Sequence, residues 1–303
     1  MILCLLLLCY IHGLVQGAGL ISPKDIIDTS KPDVETVLTE EDFRSFTTHG
    51  DITKLGIKVK DDPTMGNKME GDIAIDNLKK FVDDSNKLGR NAIRQAYRRW
   101  PNGEIPYTLS SQYGSYSRSV IAKAMQEYHD KTCVRFVPRD ARRHVDYIFI
   151  HPDDGCYSLV GKTGGRQPLS LDSGCIQVGT IVHELMHAVG FFHEQSRYDR
   201  DDYIEIVWRN VQNGADDQFE NGSGKKTIVP RKGGAERMGQ RIAFSEGDLR
   251  KINKLYQCSS NISGNSIIEK NQNSEQLTST ATTYTSMIYG NYGRRPGRIR
   301  IFG

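Results

Sequence analysis

His183-Glu184-Leu185-Met186-His187-Ala188-Val189-Gly190-Phe191-Phe192-His193 places three imidazoles and a carboxylate within eleven residues. That spacing suits chemistry at a metal ion. On a helix, His183 and His187 are i and i+4, so both rings leave the same face. Glu184 lies between them, close enough to poise a water at the ion without being a ligand. Gly190 permits φ > 0 and so an exit from the helix. A straight helix would carry the third ring roughly 9 Å beyond the second, at 1.5 Å per residue. A bend at Gly190 lets His193 return to the same ion. His183, His187 and His193 are therefore expected to hold one Zn²⁺, with Glu184 as the base. A bare H-E-x-x-H turns up on unrelated helices. Three of the chain's eight histidines in one short run, with glycine at the turning point, are much harder to obtain by accident. His12, His49, His129, His144 and His151 read as ordinary surface or packed histidines.

The run continues to Arg200 as HELMHAVGFFHEQSRYDR. It resembles the astacin family of secreted zinc endopeptidases, whose metzincin motif extends to H-E-x-x-H-x-x-G-F-x-H-E-x-x-R-x-D-R. Phe191, Glu194, Arg197, Asp199 and Arg200 match that extension. Trp100-Pro101-Asn102-Gly103-Glu104-Ile105-Pro106-Tyr107 is similar to the start of the family's mature domain. Gly239-Gln240-Arg241 through Tyr256-Gln257-Cys258 is similar to its C-terminal helix and last cysteine. The resemblance implies an α+β fold of the zincin-like (metzincin) type, with two subdomains flanking an active-site cleft and a mixed sheet beside the zinc-binding helix. It also implies protein or peptide substrates.

Length and charge set bounds on this reading. The 303 residues suffice for one or two domains. A net charge of +3, from 40 basic and 37 acidic residues, is too small to argue for nucleic acid or a membrane surface as partner. Residues 1–17 form a short apolar run ending Val15-Gln16-Gly17, the pattern of a secretory signal peptide and too short for a membrane span. The protein is expected to be secreted and monomeric. Cys133, Cys156, Cys175 and Cys258 remain after that segment, and an even number in an exported chain favours two disulfides. Sequence alone allows three connectivities. The family resemblance implies Cys133–Cys258 and Cys156–Cys175. Asn221-Gly222-Ser223 and Asn261-Ile262-Ser263 are N-glycosylation sequons, expected on exposed loops.

Residues 18–90 are polar and acid-rich, with little promise of a packed core of their own, and read as a propeptide. Within them Met69-Glu70-Gly71-Asp72 resembles the F-x-G-D motif of astacin propeptides, with Met69 in place of Phe. The resemblance implies that Asp72 fills the zinc's fourth position in the zymogen, and a carboxylate oxygen is a competent zinc ligand. Cleavage after Arg90 would free an amino terminus at Asn91, whose implied partner is Glu194; Arg94, Arg98 and Arg99 are alternative cut sites. The peptidase domain then spans 91–258. Ile105–Ser110, Val134–Val137, Val145–Ile150, Tyr157–Val160 and Leu169–Leu171 read as strands. Ser117–Lys131 reads as a helix with an apolar stripe at Val120, Ile121, Ala124, Met125 and Tyr128. The zinc helix starts near Gly179-Thr180. Ser158-Leu159-Val160-Gly161 is expected beside the cleft, where an extended substrate could add as a strand. Residues 259–303, rich in Ser, Thr and Asn, read as a disordered tail.

One departure from the family stands out. Astacins carry a methionine turn, S-x-M-H-Y, beneath the zinc, and here roughly two dozen residues including it are missing, an apparent internal deletion near 220–227. Tyr284-Thr285-Ser286-Met287-Ile288-Tyr289-Gly290 is a similar fragment, displaced into the tail. Two readings follow: a zinc endopeptidase made as a zymogen, or a zinc-binding pseudo-protease with weak or no activity. A structural zinc module is disfavoured, since such sites fill all four positions with protein ligands. Arg241 either lines the specificity pocket and selects an acidic residue after the scissile bond, or is an ordinary surface or structural arginine.

Overall fold

The computed structural model describes residues 21–48, 64–77, 91–219, 221, 224–233, 238–240 and 243–259. A mixed sheet forms the scaffold. Its strands are β1 (Glu35–Thr36), β2 (Ile73–Ala74), β3 (Glu104–Ser110), β4 (Arg135–Pro138), β5 (Tyr147–His151), β6 (Cys156–Leu159) and β7 (Arg166–Leu171). The spatial order is β1-β3-β5-β7-β6-β2, with β4 also on β3. The pairs β3·β4, β3·β5, β5·β7 and β2·β6 are parallel, while β1·β3 and β6·β7 are antiparallel. β7 is longer than the expected Leu169–Leu171. Pro168 reads as a strand breaker, but Arg166–Pro168 pairs only with β5, and one-sided pairing tolerates proline.

Helix α3 (Ser115–Lys131) packs on the zinc-motif helix α4 (Val178–Val189). The expected stripe is buried in full: Val120, Ile121, Ala124, Met125 and Tyr128 are each at most 1% exposed. Tyr128 also meets a polar need, its hydroxyl donating to the Val182 carbonyl at 2.8 Å. α4 is enclosed nearly all round, with Thr180 through Val189 buried.

A helix end leaves carbonyls unmet unless other groups reach them. Here the fold supplies them. Trp100 Nε1 donates to the Ala188 carbonyl at 2.8 Å and the Tyr256 hydroxyl to that of Val189 at 2.7 Å. The Gly161 amide donates to His187 O at 2.9 Å. The Trp100 and Tyr256 regions thus clamp the turn that carries His187. Gly190 follows at φ 127°, and the Ile93 amide donates to its carbonyl at 2.9 Å. A Cβ on Gly190 would meet Ile93 Cδ1 at 2.6 Å, so both the conformation and the contact require glycine.

Beyond Gly190 the chain builds a smaller second subdomain. Strands β8 (Ile204–Ile206) and β9 (Ile228–Pro230) pair antiparallel over a cluster of Ile204, Ile206, Phe219 and Ile228. Helix α5 (Glu246–Leu255) starts with a Ser245–Asp248 capping box and inserts Ile252, 0% exposed, into the main core. Disulfides join Cys133 to Cys258 and Cys156 to Cys175, the pairing the resemblance implied. The first ties α5 back to the strand β4 region across 125 residues of sequence. Asn221 is 8% exposed and its Nδ2 donates to the Asn210 carbonyl. Asn261 and the tail from 260 onward lie outside the described residues, as do 1–20.

Among the described residues upstream of 90, the apolar side chains that are buried join clusters of the domain. Short helices α1 (Pro23–Ile26) and α2 (Glu40–Arg44) pack on α3, and β1 extends the sheet. Ile26 and Leu38 are members of the main core, 1% and 5% exposed.

Candidate metal centre

α4 presents His183 and His187 from one face, and the reversal at Gly190 returns His193 to them, as the spacing required. The Nε2 atoms of His183 and His187 are 3.2 Å apart, and those of His183 and His193 also 3.2 Å. Tetrahedral zinc with Zn–N near 2.0–2.1 Å sets such nitrogens about 3.3 Å apart. His187 Nδ1 lies 2.7 Å from the Phe191 carbonyl. A carbonyl can only accept, so the proton sits on Nδ1 and the Nε2 lone pair faces the cluster. Burial, together with the neighbouring His187 and His193 rings, outweighs the adjacent carboxylate and holds the His183 imidazole well below its ordinary pKa. A neutral ring is the ligating form.

Asp72 completes the group. It is 0% exposed, with Oδ2 3.0 Å from His183 Nε2 and Oδ1 3.2 Å from His193 Nε2 and 3.6 Å from His187 Nε2. The four ligand atoms lie within 4.8 Å of one another. Three lone pairs and a carboxylate converging on one buried point repel each other unless a cation joins them. Three nitrogens and one oxygen are a donor set that zinc accepts. The residues present therefore fit one zinc ion.

β2 explains how Asp72 arrives. Ile73 and Ala74 pair parallel with Ser158 and Leu159, and the Ser158 amide donates to Asp72 O at 3.0 Å. The sheet edge expected to receive substrate is thus occupied by the chain's own upstream segment. Ile73 buries against Ile93, Val160 and Phe192.

One residue escaped the sequence reading. Glu70, at φ 49°, turns its Oε2 to His193 Nδ1 at 2.8 Å, while its amide donates to Asp217 at 3.0 Å. A carboxylate behind a ligating imidazole orients it and raises its basicity. The only signal was its place in Met69-Glu70-Gly71-Asp72, which says nothing of what lies opposite.

Glu184 is 0% exposed, on α4 between the two histidines. Glu194 already holds several partners: the Asn91 side-chain amide, Lys251 Nζ at 2.6 Å and Arg197 at 2.6 Å. Hydrogen bonding to Asp199, with support from Glu194, raises the Arg197 pKa further above its already high value. Asn91 is docked through its backbone too, Phe192 N donating to Asn91 O at 2.7 Å. Arg98 is 6% exposed and bonded to Val160 O at 2.7 Å, which makes it a poor cut site. Arg90, Arg241 and Tyr284–Gly290 lie outside the described residues.

The sheet, the helix and the third histidine brought in by a glycine turn define the class: an α+β metzincin domain with a single-zinc centre. Known sequences carry this further. The profile of the astacin peptidase family matches residues 92–226. Zinc metalloproteinase nas-4 of Caenorhabditis elegans is 62% identical over 288 residues, covering 86% of this chain and 91% of that protein. Zinc metalloproteinase nas-13 of the same organism is 47% identical over 270 residues, covering 76% of this chain and 59% of that protein. Among solved structures, the hatching enzyme zinc-protease high choriolytic enzyme 1 of Oryzias latipes is 33% identical, with a TM-score of 0.49 over 56% of this chain and 100% of that one. The chain belongs to the astacin family and is a zinc metalloendopeptidase that acts on proteins. Nothing in these matches supports the pseudo-protease alternative. Among the described residues no helix is long and apolar enough to cross a membrane.

Proposed function

We propose that this chain is a secreted, monomeric endopeptidase made as a zymogen, with residues 1–17 removed on export and 18–90 acting as the inhibitory segment. In this reading 91–258 is the peptidase domain and 259–303 a tail. The observation that carries it is Asp72, a fully buried carboxylate from the upstream segment set against all three histidine Nε2 atoms. Two disulfides are in keeping with an oxidising compartment.

His183, His187 and His193 would hold the ion, with Phe191 O and Glu70 orienting two of the rings from behind. Bound there, zinc supplies a Lewis acid that acidifies water and polarises a carbonyl. In the uncut chain Asp72 occupies the position water needs, and Ile73–Ala74 occupy the β6 edge where an extended substrate would pair. Departure of the segment cut off at Arg90 would clear both obstacles together. Glu184 then takes a proton from the attacking water and returns it to the departing amine. The new amino terminus at Asn91 joins Lys251 and Arg197 around Glu194.

The test is hydrolysis of a quenched protein substrate by the uncut chain and by the domain cut at Arg90 and freed of residues 18–90, with zinc measured on both. Glu184→Ala is expected to keep one zinc per chain and lose on the order of 10²–10⁴ in rate. Equal hydrolysis by the freed domain and the uncut chain would remove the zymogen reading. Undiminished hydrolysis by Glu184→Ala would remove the base.

A further inference from the structure

Among the described residues, 64–77 are one of two separate attachments of the upstream segment. The other, residues 21–48, lies on the outer edge of β3 and the start of α3. Antiparallel pairing of Glu35 and Thr36 with Ser110 and Leu109 adds a strand to the sheet. Further backbone bonds run from Asp28 N to Gln112 O at 2.7 Å, from Ser111 N to Val34 O at 2.9 Å and from Gly114 N to Ile26 O at 3.0 Å. The Ser117 hydroxyl donates to Ile26 O at 2.7 Å. Ile26 and Leu38 enter the main hydrophobic core. Arg118, on α3, donates to both carboxylate oxygens of Asp42, at 3.1 and 2.9 Å, and to Thr36 and the Val37 carbonyl. Those two charged side chains are only 16% and 12% exposed.

Gly114 gives the independent clue. Its backbone, φ −75° and ψ 175°, suits any residue. Yet a Cβ there would lie 2.2 Å from the Lys24 carbonyl oxygen and 2.3 Å from the Asp25 carbonyl carbon. The atoms nearest to it belong to the upstream backbone, whose close passage demands glycine here.

We propose that residues 21–48 are a clamp that remains bound to the peptidase domain after the chain is cut ahead of Asn91. The face made by β3, Gly114 and Arg118 is then a standing docking surface for this segment. The proposal rests on the zymogen reading above and deepens it. Loss of the clamp would open the core at Ile26 and Leu38 and break the largely buried Arg118–Asp42 pair. The clamp and the Asp72 segment are joined by residues 49–63. A single cut at Arg90 therefore leaves the Asp72 segment tethered beside its site. Such linkage raises apparent affinity by roughly 10²–10⁴ over either contact alone. Full release then requires a second cut, within 49–63.

The test uses the full chain with residues 87–90 replaced by the recognition sequence of a site-specific protease, so that the cut is certain. After cleavage at micromolar concentration, size exclusion with intact-mass detection reads whether the N-terminal fragment travels with the domain. Co-elution and continued low hydrolysis are expected. Gly114→Ser keeps a good helix cap and alters no residue of the metal centre. It should release the fragment, weakening its apparent affinity on the order of 10²-fold, and hydrolysis should rise. A second site-specific cut placed in 49–63 of the otherwise unaltered chain should free the Asp72 peptide while residues 21–48 still co-elute. Separation of the unaltered fragment as complete as that of Gly114→Ser would overturn the clamp. Co-elution with full hydrolysis would keep the clamp and sink the inhibitory role of Asp72.

Discussion

Gly190→Ala is the substitution on which the architecture of the metal centre turns. Position 190 sits at φ 127° and ψ 26°, a conformation side-chain-bearing residues rarely adopt, so alanine there costs about 1–3 kcal/mol in backbone strain. Its methyl would also meet Ile93 Cδ1 at 2.6 Å and Cγ1 at 2.8 Å. Overpacking of that kind costs about 1–3 kcal/mol more. The sum is roughly 2–6 kcal/mol, and at about 2–4 °C per kcal/mol for a domain of this size the melting temperature should fall by at least about 4 °C. Relief of the strain moves the chain that carries His193, so zinc content should fall as well. Ile93→Ala, destabilising alone because Ile93 is 3% exposed, removes the atoms that clash. The double variant should therefore be less damaged than the sum of the singles by about 1–3 kcal/mol. Calorimetry and zinc analysis on the four proteins check this. A Gly190→Ala protein within about 0.5 kcal/mol of the parent, the ordinary range for a surface substitution, would refute the reasoning. Strict additivity with Ile93→Ala would refute its steric half.

Three further outcomes are expected. Asp72→Ala in the uncut chain should retain zinc on three histidines and show hydrolysis without cleavage, read with a quenched substrate; silence until residues 18–90 are removed would shift the inhibition to the β2–β6 pairing. Burial alone would raise the Asp42 carboxyl, but hydrogen bonds from Arg118 and Thr39 bring it below 3.8. Because the folded value is the lower one, the ion pair contributes fully above the unfolded pKa and is lost as pH falls through the folded one. The stability advantage of the parent over Asp42→Asn in urea should therefore shrink below about pH 4, and a constant advantage would rule the pair out as its source. Paired Cys133→Ser and Cys258→Ser substitutions, which open a loop of 125 residues, should cost about 2–5 kcal/mol in thermal unfolding.

The sequence by itself determined the chemistry. Ligand identity follows from residue type, and the convergence of His183, His187 and His193 follows from helical geometry and one glycine, all within eleven residues. The α3 stripe and most strands were legible for the same reason, since local periodicity reports which face is buried. Tertiary structure decided everything that depends on residues distant in sequence. Glu70 meets His193 across 123 positions and Asp42 meets Arg118 across 76. Neither pair carries a local pattern. The polar composition of residues 21–48 gave no hint that Ile26 and Leu38 would complete another segment's core. The sequon at Asn221 records three residues and says nothing of the Asn210 carbonyl beside its amide. Short-range steric rules are written along the chain, whereas buried polar groups find partners wherever the fold brings them.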